Sequence, residues 1–147
     1  MSAPVPRWVR LGVVVTMGAP QLLIGLWALV MPDLWYDRFP GFAPYLVAAI
    51  PPYNEHLATD VGAGFFATAV VVLVAGIWGS RDALRIALLA YVAFTLPHVV
   101  YHALEPAEQL SGVEDLVNVL SLGSGLVLAA VFAYGVGLRP PRARAAA

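Results

Sequence analysis

Each of the chain's three histidines stands four residues from a second group able to bind a metal or move a proton: His56 with Asp60, and His98 with His102. On a helix this spacing puts both members of a pair on one face. Three imidazoles and a carboxylate from His56, Asp60, His98 and His102 form a donor set suited to zinc, and also to iron or copper. If Asp60 orients a histidine instead of coordinating, a water position stays open for hydrolysis. The same residues also support metal-free acid–base work, such as isomerisation or cyclisation of a lipid-soluble molecule. The candidate catalytic carboxylates are then Glu55, Asp60, Glu114 and Asp115, with Asn54 and Asn118 beside them and histidine as the partner base. A bis-histidine haem is a third possibility. The plainest is hydrogen bonding between helices, worth about 0.6 kcal/mol per contact.

The elements that position these groups follow from composition. Of 147 residues, 61% are hydrophobic and 12% charged, and the mean hydropathy is +0.80. Soluble domains are about 45–50% apolar and about 25% charged. A net charge of −1 and the lack of any basic tract argue against nucleic-acid binding. With no cysteine, thiol redox chemistry, thiolate metal sites and a disulfide scaffold are excluded. An integral membrane protein remains. Four apolar runs reach the roughly 20 residues that a bilayer crossing needs, at about 8–31, 57–79, 83–104 and 116–138. They are continuous rather than alternating, so the predicted fold is an all-α, up-down four-helix bundle and not a barrel. The first run is too long for a signal-peptide core and is read as a retained helix.

Arginine sets the predicted orientation. Arg7, Arg10, Arg81, Arg85, Arg139, Arg142 and Arg144 fall on one side, and Arg38 alone falls on the other. The positive-inside rule then makes both termini and the 79–82 turn cytoplasmic in a multi-pass protein of the cell membrane. Trp8 and Trp78 at the inner boundary, with Trp35, Tyr36 and Tyr53 at the outer one, read as interfacial aromatic belts. The long outer segment, 32–56, contains an apolar stretch at 42–50 that reads as a surface or re-entrant helix, able to cap the bundle or to lie among the headgroups.

Each span has one polar or small face. Tyr91, Thr95, His98 and His102 form a stripe on the third. Asp60 continues to Gly64 and Ala67 on the second, and Asp115 to Asn118, Ser121 and Gly125 on the fourth. Gln21 lies between Gly18 and Gly25 on the first. These faces are expected to share an interior. Pro20 and Pro97 each remove a backbone bond and are candidate kinks.

The stretches Phe39-Pro40-Gly41, Pro52-Tyr53-Asn54-Glu55-His56-Leu57-Ala58-Thr59-Asp60-Val61-Gly62-Ala63 and Pro97-His98-Val99-Val100-Tyr101-His102 resemble a group of small actinobacterial four-span membrane proteins of the DoxX-like kind. The likeness covers nearly the whole chain. It implies the four-span fold and the importance of Asn54, Glu55, His56, Asp60, His98 and His102, and it implies no particular activity.

The function expected is that of a membrane-embedded enzyme with an outward-facing polar cavity for a lipophilic small molecule. Zinc is its candidate cofactor and the lipid bilayer its surroundings. Two alternatives are a non-catalytic subunit or assembly partner, and a haem- or metal-binding membrane protein. A transporter fits less well, because the inner halves of the spans below Tyr91 and Ser121 are almost wholly apolar.

Overall fold

The computed structural model describes residues 5–137, so the predicted end of the last span at Leu138 and the arginines Arg139, Arg142 and Arg144 lie outside the described residues. Four helices are long and apolar enough to cross a membrane: α1 (Arg7–Val30), α3 (Glu55–Trp78), α4 (Arg81–Leu104) and α5 (Gly112–Val136). A short helix, α2 (Pro32–Arg38), follows α1 directly. No strand occurs among the described residues.

Local chemistry sets the ends of these helices. Asn54 caps α3 by accepting from the Leu57 N–H at 3.1 Å, and Ser80 caps α4 by accepting from Ala83 at 3.2 Å. Ser111 and Glu114 form a reciprocal capping box that starts α5 several residues before its apolar run. Gly79, with φ 69°, ends α3 in the left-handed conformation that a two-residue turn into α4 requires. Within α1, Val13–Gly18 is π-helical. Pro20 follows at once; it cannot donate to the Thr16 carbonyl, and the wider turn makes room for its ring.

α1 and α3 form the closest pair. A Cβ on Gly25 would lie 2.6 Å from the Phe66 backbone nitrogen, and one on Gly62 would lie 2.9 Å from the Ala28 Cβ. Close approach of backbones is how apolar helices gain packing energy when lipid removes any hydrophobic drive. On α3 the contact runs through Ala58, Gly62, Ala69 and Gly76, all buried, whereas Ala67 is exposed. The expected face through Asp60, Gly64 and Ala67 is therefore rotated away from α1.

The half of the bundle that holds most of the arginines is a dry core. Val9, Val13, Met17, Val72, Leu84, Leu88, Phe132 and Val136 pack together there. Its arginines tie helix ends: Arg10 donates to the carbonyls of Gly76 (3.0 Å) and Ile77 (2.5 Å), Arg81 to Val136, and Arg85 to Gly137 (2.5 Å). These carbonyls have no partner within their own helices, and cations complement the negative helix end. α5 packs on α1 at Arg7–Gly12 but makes no comparable contact with the second half, Ala19–Val30. The two helices part towards the histidine end.

Residues 39–54 fill part of that gap with bends and turns. The helix expected over 42–50 does not form, since only six residues separate Pro44 from Pro51. The helical turn lies earlier, where Pro32 occupies a first-turn position that suits its fixed φ. Trp35, expected in an interfacial belt, is instead 5% exposed and packed with Ala28 and Ala58, while Trp8 and Trp78 are exposed as expected.

Candidate functional site

α4 brings its polar stripe inward as the spacing predicts: Tyr91 and Thr95 are buried, and His98 and His102 follow on the same face. The two imidazoles are 4.8 Å apart, edge to face. His98 stacks on Phe94 at 6.2 Å and meets the edge of Phe65 at 6.1 Å, while Tyr101 lies 5.6 Å from His102. Packing on several sides holds both rings in place.

Across from them, α5 turns Asp115, Asn118 and Gly125 inward. Asn118 is 7% exposed, and the Asp115 carboxylate lies near enough to His102 for its charge to act on that ring. Ser121 is exposed and donates to the Val117 carbonyl within its own helix. Of these α5 residues, Asn118 lines a cavity of about 470 Å³ in the gap between the second half of α1 and α5. Its walls include Ile24, Trp35, Phe39, Val47, Leu57, Ala58, Val61, Phe65 and Leu122, with Asn54, His98, His102 and Asn118 as the polar exceptions that sequence reading singled out. Leu46, Val47 and Ile50 line it from the 39–54 segment, which thus covers the bundle at this end.

The other candidates lie elsewhere. His56 and Asp60 sit 3.4 Å apart, with side chains 83% and 63% exposed. Glu55 is also exposed. On α3 the cavity takes Leu57, Ala58, Val61 and Phe65. At about 100° per residue, His56 falls across the helix from the middle of this face and Asp60 beyond its edge, and neither lines the cavity. Asn54 reaches the cavity wall, but its side-chain oxygen is engaged as the α3 cap. Glu114 is bound to the Ser111 hydroxyl at 2.7 Å and serves the α5 cap. Among the described residues, no three histidine, aspartate or glutamate side chains come together as a group that could hold a metal ion. The set His56, Asp60, His98 and His102 is therefore split, with two members on the cavity wall and two outside.

Five buried side-chain atoms among the described residues lack a hydrogen-bond partner: Gln21 Oε1, Trp35 Nε1, Thr95 Oγ1, His102 Nδ1 and Asp115 Oδ1. Two of them, on Trp35 and His102, belong to residues that line the cavity, and each such atom costs about 1–3 kcal/mol if left unsatisfied. Trp35 is the residue that sequence reading missed as part of the site. Its spacing of four from Phe39, with which it makes a 5.9 Å ring contact, marked an aromatic face that a lone belt residue does not need.

The surroundings are acidic. Asp33, Asp37, Glu55, Asp60, Glu105, Glu108, Glu114 and Asp115 lie at this end, against Arg38 alone. Desolvation, and then the carboxylates of Glu55, Asp33 and Asp37, push the Tyr53 phenol above its ordinary value. Arg38 rests 5.5 Å from the Tyr45 ring. No family model, curated protein or solved structure matches the chain. Chemically, the site offers two imidazoles and an amide on the wall of a mostly apolar chamber, with a carboxylate close to one of the rings.

Proposed function

We propose that this is a cell-membrane protein that binds a lipophilic molecule in the histidine-end cavity and acts on it by proton transfer. His102 handles the proton, Asp115 acts on it through that ring, and His98 and Asn118 complete the polar wall. The observation that carries the reading is the His102 imidazole on the wall of an otherwise apolar cavity, with the Asp115 carboxylate close enough to act on that ring and with His102 Nδ1 and Asp115 Oδ1 both unpartnered. Residues kept only to bond helices together would use those atoms for that bond. The arginine distribution supports an orientation with the cavity on the non-cytoplasmic side and both termini in the cytoplasm.

Proton transfer is favoured over a zinc centre because the exposed His56 and Asp60 do not come together with the other two donors. Elemental analysis of tag-free protein, together with activity in chelator, separates the two forms.

The reaction can be tested before it is known. Lipophiles retained by protein purified in mild detergent are identified by mass spectrometry and then incubated with that protein in heavy water. Wild type is expected to place deuterium on carbon in the retained molecule. His102→Ala is expected to retain the molecule without exchange, and Leu122→Trp, which fills the cavity, to lose it. Equal exchange in wild type and His102→Ala would overturn the mechanism.

A further inference from the structure

A second recess lies on the outside of the bundle, along the half that holds the dry core. It runs between α4 and α5, from Arg85 through Leu89 and Val92 to Leu96 on one side and from Leu126 to Ala133 on the other. Its volume is about 460 Å³, within the about 300–1,000 Å³ usual for ligand sites. It shares no residue with the histidine-end cavity. Ala129, Ala130 and Ala133 are too short to fill the space between the two helices, and the buried Leu88 and Ala129 form the floor. Leu89, Leu96 and Ala130 are exposed, so the groove opens outward, where a four-span protein meets acyl chains.

Length and charge point to its occupant. From Arg85 to Leu96 the helix rises about 16 Å, about half of a hydrocarbon core of roughly 30 Å. The groove therefore starts at one membrane surface and stops near the mid-plane, which suits a chain from a single leaflet better than a spanning helix. Its walls are apolar except for Arg85 at the surface end. That guanidinium donates to the Gly137 carbonyl at 2.5 Å and lies 3.1 Å from Asp82, so its charge is held at the groove mouth. Arg7, Arg10 and Arg81 stand at the same end, where Asp82 is the only acidic side chain among the described residues. Asp82 is 87% exposed, and an ion pair so open to water offsets little of this charge. We infer that the groove holds one anionic phospholipid, with its phosphate drawn to the Arg85 end and one acyl chain lying along the alanines of α5. The site stands whether or not the histidine-end cavity is filled.

The test titrates the full-length protein in mixed micelles with phosphatidylglycerol or phosphatidylcholine of the same acyl chains, and counts retained lipid by native mass spectrometry. Wild type is expected to retain phosphatidylglycerol about fivefold or more over phosphatidylcholine, the factor that one arginine contributes to anionic-lipid attraction. Ala130→Trp fills the groove from the exposed face of α5 and is expected to abolish the preference. Ala67→Trp, the same change on the exposed side of α3, is expected to keep it. Arg85→Gln is expected to bring the two lipids within about twofold of each other; if it does not fold, wild type and the two tryptophan variants decide. Equal retention of both lipids in wild type would overturn the inference, as would a preference that survives Ala130→Trp. Two other occupants are also read directly. Oleate that displaces phosphatidylglycerol at equal mole fraction would make the occupant a fatty acid, and a dimer broken by Ala130→Trp would make it a second copy of the chain; either result overturns the phospholipid.

Discussion

A buried carboxylate oxygen without a donor weighs against folding, so Asp115 invites a paired measurement of stability and chemistry. Asp115→Asn removes the charge and keeps the shape. Thermal denaturation in detergent is expected to show unchanged or raised stability, because about 1–3 kcal/mol of desolvation is relieved. Deuterium exchange into the bound molecule is expected to fall by about tenfold or more. His56→Ala and Asp60→Ala are expected to change exchange by less than about twofold, since an exposed ion pair contributes little. A loss with His56→Ala comparable to that with His102→Ala would restore the shared metal centre. Spacing alone was enough to place His98 and His102 on one face with Tyr91 and Thr95, and Asp115 with Asn118. It could not say which way α3 is turned, because i, i+4 arithmetic relates residues within a helix and leaves the helix free to rotate. Trp35 was missed for a related reason: an aromatic near a span end fits both a headgroup belt and a cavity wall.

Helix rotation is settled by packing at the level of elements, and on α3 it is settled by glycine. The approach of Gly25 and Gly62 to the backbone and small side chains opposite leaves no space for a larger residue. Gly62→Leu is expected to destabilise the protein by about 1–3 kcal/mol, read from unfolding in mixed micelles. Ala67→Leu, on the exposed side, is expected to be neutral. The four spans were legible because 18-residue windows of mean hydropathy 1.7–2.2 leave little alternative. The Ser111–Glu114 box, which begins α5 earlier than its apolar run, was not used. The outer segment misled because its apolar content resembled a helix, while its prolines divided it into pieces too short for one. Ser111→Ala should cost about 1 kcal/mol by the same unfolding measurement, without affecting the cavity.

For the whole molecule, the dry core and the arginine-tied helix ends make one half a closed base. Purified protein in liposomes is expected to pass no ions, since Val9, Val13, Leu84 and Val136 are fully buried where a polar path would have to run. Topology can be measured cleanly in a chain with no cysteine. A thiol introduced at Glu108 should react with an impermeant reagent from outside intact cells, and one at Asp82 only after lysis. The measurement is needed because Arg10, Arg81 and Arg85 bind helix carbonyls and would suit that end whichever way the protein faced.

The parting of α5 from the second half of α1 changes which concentration governs occupancy. A gap between two spanning helices is reached by molecules already dissolved among acyl chains, so its filling follows their mole fraction in lipid, with which the free concentration in the buffer stays in proportion, and not the total amount added per volume of buffer. Adding empty vesicles at constant volume and constant total ligand should therefore strip the site, although the total ligand per volume is unchanged.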